Sequence, residues 1–198
     1  LADKSPGEPV SRISAPHRDA GLGFSVGNRD RSAFPKVSEL DDARARGRIL
    51  HFFANHELLA LELMALTLLR FPNAPTQFRK RLVATMRDEQ KHMVLYLERM
   101  KTLGVEFGDV PLNAFFWDQL SRVDTPMAFV AGMSLTFEQA NLDFSRHYTK
   151  RFSDIGDDVT ASLLQTVYED EIGHVKLGAH WFEKLRKPLD TRSLWTRY

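Results

Sequence analysis

The sequence contains no cysteine, which excludes disulfide bonds and every metal site built on thiolate ligands. It has no excess of one charge either, because 27 lysine and arginine residues balance 26 aspartate and glutamate residues. This balance gives no reason to expect binding to nucleic acid or to an anionic membrane. The longest apolar run, residues 58–69, is interrupted by Glu62 and is too short to span a bilayer. No signal-peptide pattern is visible. The absence of cysteine fits a cytoplasmic protein, which is what we expect.

A chain of 198 residues with 43% hydrophobic residues is suited to one domain with a sizeable core. Residues 1–37 are rich in proline, glycine, serine and charged residues and have no apolar period, so they predict an irregular N-terminal arm. This arm is interpreted either as a loose tail or as a segment that wraps over the domain. Residues 38–187 carry the helical pattern, and residues 188–198 form a predicted C-terminal tail.

Apolar residues recur at three- and four-residue steps in four segments, which indicates amphipathic helices. Ser38 and Asp124 are the expected N-caps of the first and third helices, and Gly104 is the expected end of the second. The predicted helices cover about residues 39–70, 76–104, 125–152 and 157–187. The short turns within each pair and the long connection between the pairs predict an all-α, antiparallel four-helix bundle made of two hairpins and a crossover.

The chemistry is indicated by the motif Asp-Glu-x-x-His, which occurs twice in the helical pattern. Glu89 and His92 belong to the first copy, and Glu171 and His174 to the second. Because residues three apart lie on one helix face, each pair can bind the same metal ion.

Each motif also has a single glutamate at a matched distance upstream: Glu57 precedes Glu89 by 32 residues and Glu138 precedes Glu171 by 33. An antiparallel hairpin with its turn near the midpoint of that interval brings the two glutamates level. All six residues fall on the inward apolar stripes, where ionised carboxylates are costly unless they are paired or bound to metal. No lysine or arginine occupies these stripes at this level, which disfavours a network of salt bridges. Four carboxylates and two imidazoles in a bundle are the ligand set of a dinuclear iron or manganese site.

The doubled pattern resembles the ferritin-like di-iron carboxylate superfamily over roughly residues 40–186, and especially the bacterial multicomponent monooxygenases. The stretch from His56 to Glu62 is also similar to a bacterial ferritin-like family of unassigned function. The resemblance implies two iron ions, with manganese as an alternative, bridged by Glu89 and Glu171. It also implies that Asp88 orients His174 and that Asp170 orients His92.

Tyr96 lies one turn after His92, where the small subunit of ribonucleotide reductase carries its radical tyrosine. By this resemblance Tyr96 is a candidate redox or proton-donating residue, and a core tyrosine with a satisfied hydroxyl group is the alternative. Glu62 and Asp143 are a second matched acidic pair, but each lies about 140° around its helix from the ligand face. We therefore expect them to make surface or inter-helix hydrogen bonds, with Glu62 as the reserve ligand on the first helix.

The resemblance implies an enzyme that uses O₂ to hydroxylate, desaturate or N-oxygenate a small substrate. The sequence has no glycine motif for flavin or NAD, so a separate reductase is implied as electron donor. Neither nucleic acid nor membrane is expected as a partner, and a homodimer is compatible with the sequence. The alternatives are a ferroxidase or iron-storage protein of the bacterioferritin type, and a bundle in which metal serves only as a structural staple.

Overall fold

The computed structural model describes residues 7–19, 21–25 and 34–186, and within these ranges it is a helical bundle without a β-strand. This confirms the predicted all-α fold. The helices are α1 (Ala43–Arg70), α2 (Thr76–Thr102), α3 (Phe115–Leu120), α4 (Pro126–Gly132), α5 (Gln139–Asp154) and α6 (Asp158–Leu185). A π-helical segment, Met133–Glu138, joins α4 to α5. The predicted tail, residues 188–198, lies outside the described residues.

Two antiparallel hairpins make up the bundle. In the first, the Arg79 guanidinium near the start of α2 donates to the Leu68 carbonyl oxygen near the end of α1, 2.7 Å away. At the other end, Gly47 of α1 lies against Val105, just beyond α2. The second hairpin pairs α6 with the continuous segment formed by α4, the π-helical segment and α5. A crossover that contains α3 connects the hairpins, and two aromatic residues of α3, Phe116 and Trp117, are buried.

Two helix starts differ from their predictions. The first helix begins at Ala43 because the Asp42 carboxylate accepts hydrogen bonds from the backbone N–H groups of Arg44 and Ala45, whereas Ser38 lies in a short 3₁₀ turn. At α4 the cap is Thr125 and not Asp124, since the Thr125 hydroxyl oxygen accepts from the Ala128 N–H at 3.1 Å. Side chains with a free oxygen compete for these positions, and the local backbone decides which of them becomes the cap.

The π-helical segment shifts the inward face of the third predicted helix. Before it, Phe129 and Val130 are buried. A regular helical period continued backwards from Glu138 would instead turn Ala131 and Met127 inward, and both are only half-buried. A π-helical turn contains more residues than an α-helical turn, so the face turned to the core changes phase where it is inserted. The predicted stripe is correct from Glu138 onward.

Buried apolar residues form two clusters, one towards each end of the bundle. One cluster includes Phe53, Tyr96 and Phe152, and the other includes Leu63, Phe129 and Trp181. Along α1, α2 and α6, the motif residues and Glu57 lie between these two clusters. The bundle thus surrounds a polar centre with apolar layers on either side.

The described part of the N-terminal arm lies against the bundle. The Val10 N–H donates to the Leu69 carbonyl oxygen at 3.1 Å, and the Trp117 indole N–H donates to the Ser14 carbonyl oxygen at 3.0 Å. Arg18 forms a bidentate ion pair with Glu62 of α1 at 2.6 and 2.7 Å. These contacts hold the described arm residues against α1 and α3.

Helix α1 is long and apolar enough to cross a membrane, judged by length and composition alone. The interrupted apolar run at residues 58–69, taken by itself, did not predict this. Its most apolar window has a mean hydropathy of 1.4, and 56% of that window is buried inside the bundle. A mostly buried helix of this kind is consistent with the core helix of a soluble protein.

Candidate metal site

The six residues of the two motifs and their upstream glutamates meet at the centre of the bundle. Each side chain comes from the inward face of its helix, and every one of the six residues is at most 6% exposed. They are Glu57 of α1, Glu89 and His92 of α2, Glu138 at the end of the π-helical segment, and Glu171 and His174 of α6. The structure therefore brings together all the residues that the sequence pattern selected.

Ligand atoms of these residues form two overlapping groups. The first contains Glu57, Glu89, His92 and Glu171, and the second replaces Glu57 and His92 with Glu138 and His174. Within each group, one donor atom per residue lies within 4.8 Å of all the others. Each group has the size and composition to hold one metal ion, and Glu89 and Glu171 belong to both.

Both imidazole rings turn the same atom towards the carboxylates. His92 Nδ1 lies 3.3 Å from Glu89 Oε2, and His174 Nδ1 lies 3.2 Å from Glu171 Oε2 and from Glu89 Oε1. Nδ1 is therefore the nitrogen available to an ion in the cluster.

The outer nitrogen of each ring contacts an aspartate of the opposite hairpin. His92 Nε2 lies 3.1 Å from Asp170 Oδ2, and His174 Nε2 lies 3.3 Å from Asp88 Oδ2. This is the cross-pairing that the resemblance implied. A carboxylate at Nε2 favours the tautomer that keeps its proton there, which leaves Nδ1 free to bind a cation.

Burial and the close spacing of the charged groups shift the pKa values of the cluster residues. Burial, together with the carboxylates of Glu89 and Glu171, raises the pKa of Glu57 well above its usual value. Burial and the carboxylates of Glu171 and Glu89 raise the pKa of Glu138 to about 8. Burial alone would lower the pKa of His174, but its hydrogen bonds with Glu171 and Glu89 outweigh that effect and raise the pKa to about 12. Protons and a divalent cation would therefore compete for the same donor atoms.

Unpartnered oxygen atoms show that the cluster has unused ligand capacity. Both carboxyl oxygens of Glu138 and Oε1 of Glu57 are buried without a hydrogen-bond partner among the described residues. A buried carboxylate oxygen without a donor is costly, and a metal ion removes that cost. The donor set therefore fits a cation, and the cluster could hold a metal ion.

Tyr96 is fully buried beyond His92, and its ring stacks on Phe53 with centroids 5.9 Å apart. Its hydroxyl group has no hydrogen-bond partner among the described residues. Burial and the neighbouring carboxylate of Glu57 raise its pKa well above the usual value, so the phenol keeps its proton.

The second matched acidic pair does not join the cluster. Glu62 instead pairs with Arg18 of the arm, and Asp143 is an exposed residue of α5 beside Arg146 and Lys150. Asp143 thus lies at the surface, as expected, whereas Glu62 is half-buried and contacts the arm instead of the solvent or another helix.

The sequence-based selection missed one polar residue of the cluster, Asn141. The Asn141 amide Nδ2 donates to Glu171 Oε1 at 3.4 Å, and Asn141 is 9% exposed. The signal was present, because Asn141 is a polar residue on the inward stripe one turn after Glu138. Its amide stabilises the charged form of a carboxylate that both groups share.

Comparison with known proteins places the chain in a family. Residues 4–198 match the family described as protein of unknown function (DUF455). The chain belongs to the DUF455 family. Among curated proteins, an uncharacterized protein of Haemophilus influenzae is 29% identical over 111 residues.

That match covers 56% of this chain and 38% of the Haemophilus protein, so the chain spans well under half of that relative's length. No solved structure shows a significant match. The expectation of a family without an assigned function is thus confirmed, and the DUF455 match itself assigns neither a metal nor a reaction.

Proposed function

We propose that this DUF455 protein is a ferritin-like di-iron oxidoreductase that uses O₂ to oxidise a small substrate. The observation that carries the proposal is the pair of overlapping ligand groups that share Glu89 and Glu171. A single ion needs only one such group, whereas shared carboxylates between two groups are typical of dinuclear carboxylate sites. Oxygen and nitrogen donors without sulfur suit iron, and also manganese.

In this proposal each part of the cluster has a distinct role. Glu57 and His92 would hold one ion, Glu138 and His174 the other, and Glu89 and Glu171 would bridge them. Asp170 and Asp88 would fix the orientation of the two imidazoles. The bound iron pair would supply the reduction of O₂, which no side chain of this protein can perform alone.

The apolar layers on both sides of the cluster would exclude bulk water and keep the carboxylates in place. Hydroxylation would put one oxygen atom of O₂ into the substrate and reduce the other to water. The electrons for that reduction would come from a separate reductase, as the sequence lacks a nucleotide-binding glycine motif. Tyr96, which keeps its hydroxyl proton near the cluster, is proposed as a proton or electron donor in this reaction.

The proposal is tested by loading the protein with ferrous iron without oxygen and then exposing it to O₂. Absorption and Mössbauer spectra should show a coupled diferric product with two iron ions per chain. The variants Glu57→Gln and Glu138→Gln each remove a ligand of one group only, and each should weaken one of the two ions. Glu171→Gln removes a shared ligand and should weaken both.

The matched control is Glu169→Gln on the same helix, because Glu169 is exposed and bonds only Gln165 at 2.8 Å among the described residues. It should bind iron like the unaltered protein. Iron uptake far beyond two ions per chain, together with cage-sized particles in size-exclusion chromatography, would instead indicate an iron-storage protein. Stoichiometric iron that does not react with O₂ would indicate a structural staple.

For Tyr96→Phe, unchanged oxygen consumption and an unchanged radical signal would exclude a role for the phenol.

A further inference from the structure

A narrow cavity begins at the cluster and follows the bundle towards the end that carries the turn between α1 and α2. Glu138 and His174 line its inner end, and apolar side chains line its length. These apolar side chains are Met64, Leu82, Phe129, Val130 and Leu177. Its volume is about 20 Å³, which is room for about one water molecule.

The cavity leads outwards along α6. His174 and Trp181 both line it, and the seven-residue interval between them corresponds to about 10 Å of helix. At the level of Trp181 the wall also contains Phe78 and Arg81 of α2, and Arg81 is exposed. The outer end of the cavity is therefore at the protein surface.

The polar groups at this outer end are hydrogen-bond donors. The indole N–H of Trp181 is buried and has no partner among the described residues, and Trp181 as a whole is 7% exposed. Lys184 Nζ lies 5.5 Å from the centroid of the Trp181 ring, which adds positive charge. No acidic side chain lines the cavity at this level in the described part of the chain. Buried donors without acceptors, beside positive charge, favour an anion.

We propose that this cavity binds a carboxylic acid with a slim apolar chain, and that such acids are the substrate class of the site. The carboxylate would bond to Arg81 and to the Trp181 N–H, and the far end of the chain would point to Glu138 and His174. The interval of about 10 Å matches a linear chain of roughly eight carbons. The unbranched side chain of Met64 is flexible enough to turn aside and widen the cavity for such a chain.

The assignment of these acids as substrates rests on the proposed function, but their binding does not. Binding is therefore measured by calorimetry with sodium octanoate on the metal-free protein and again on the iron-loaded protein. We expect octanoate to bind both forms, and each methylene added from butyrate to octanoate to tighten binding roughly four-fold. n-Octylamine has the same chain with the opposite charge and should not bind.

Arg81→Ala should weaken octanoate binding about ten-fold, as it removes the charged partner of the carboxylate. Lys80→Ala is the matched control, since Lys80 is an exposed cation next to Arg81 that does not line the cavity. It should change the affinity less than two-fold. Leu177→Phe fills the cavity and should abolish octanoate binding while metal binding persists.

Several results would overturn the inference. The inference is wrong if octanoate fails to bind, if octylamine binds equally well, or if Arg81→Ala and Lys80→Ala weaken octanoate binding equally. It is also wrong if octanoate binds only the iron-loaded protein, with an affinity that Arg81→Ala does not change. The octanoate carboxylate would then contact the ion itself, which contradicts the proposed orientation. The measurement on the metal-free protein involves no iron, so these failures do not test the di-iron proposal. The iron titration decides that proposal separately.

Discussion

Gly178 and Gly173 lie in the middle of α6, five residues apart, and they differ in what surrounds them. A Cβ atom added at Gly178 would lie 2.1 Å from the Ser134 Cβ atom, whereas one added at Gly173 would meet nothing within 4 Å. Close packing against the π-helical segment therefore explains Gly178, and nothing in the structure explains Gly173. The two positions form a matched pair for testing how tightly α6 contacts the segment that ends in Glu138.

We expect Gly178→Ala to destabilise the protein and Gly173→Ala to stabilise it. Ordinary carbon–carbon contacts are about 3.5–4.0 Å, so the first change must move α6 and the π-helical segment apart by more than 1 Å. Such overpacking costs about 3 kcal/mol, offset by the gain of about 1 kcal/mol when alanine replaces a helical glycine. The net loss is about 2 kcal/mol for Gly178→Ala, against a gain of about 1 kcal/mol for Gly173→Ala.

Thermal and urea unfolding of the metal-free protein measure this difference of about 3 kcal/mol. In a domain of this size it should separate the two Tm values by roughly 6–12 °C. Adding Ser134→Gly removes the atoms that clash and should restore part of the stability of Gly178→Ala, which a double-mutant cycle reports as favourable coupling. Equal shifts in the same direction for both glycine variants, or no coupling with Ser134, would refute the packing argument.

Three further predictions concern the partners of the cluster, the arm and a buried histidine. Asp170→Asn removes the carboxylate beside His92 Nε2 and should lower metal affinity about 10- to 100-fold in a competition titration; an unchanged affinity would show that the ring needs no such partner. Arg18→Ala leaves the carboxylate of Glu62 without its bidentate partner and should cost about 2 kcal/mol of unfolding free energy, whereas replacing both residues with apolar ones should recover most of it. Burial lowers the pKa of His51 to about 4, so its neutral form contributes stability that is present above pH 6.5 and is lost as the pH falls towards 4. His51→Gln should flatten that part of the stability profile in urea unfolding, and a variant with the same slope as the unaltered protein would contradict this.

The fold and the cluster could be predicted because their determinants are local and repeated. A helical period indicates which face of each segment is buried, and the nearly equal spacing of the two upstream glutamates indicates the height at which the helices meet. Glu57 and Glu138 occupy positions where an apolar residue is expected, and this conflict marked them as chemically important. Neither inference needs knowledge of contacts between distant residues.

Other features depend on contacts that the sequence does not encode locally. The π-helical segment packs against α6 where Ser134 meets Gly178, and the regular period failed before Glu138. The course of the arm depends on contacts with residues distant in sequence, among them the ion pair between Arg18 and Glu62. Asn141 was visible on the stripe, but only the contact with Glu171 shows what its amide does.

The crossed histidine–aspartate contacts make each half of the chain dependent on the other. His92 of the first hairpin meets Asp170 of the second, and His174 of the second meets Asp88 of the first. Neither hairpin alone contains both a histidine of the cluster and the aspartate that contacts its ring. If the chain were cut in the crossover, we expect that neither fragment would bind a cation at this site alone and that the reassociated fragments would. Cation binding would then measure whether the two hairpins have assembled.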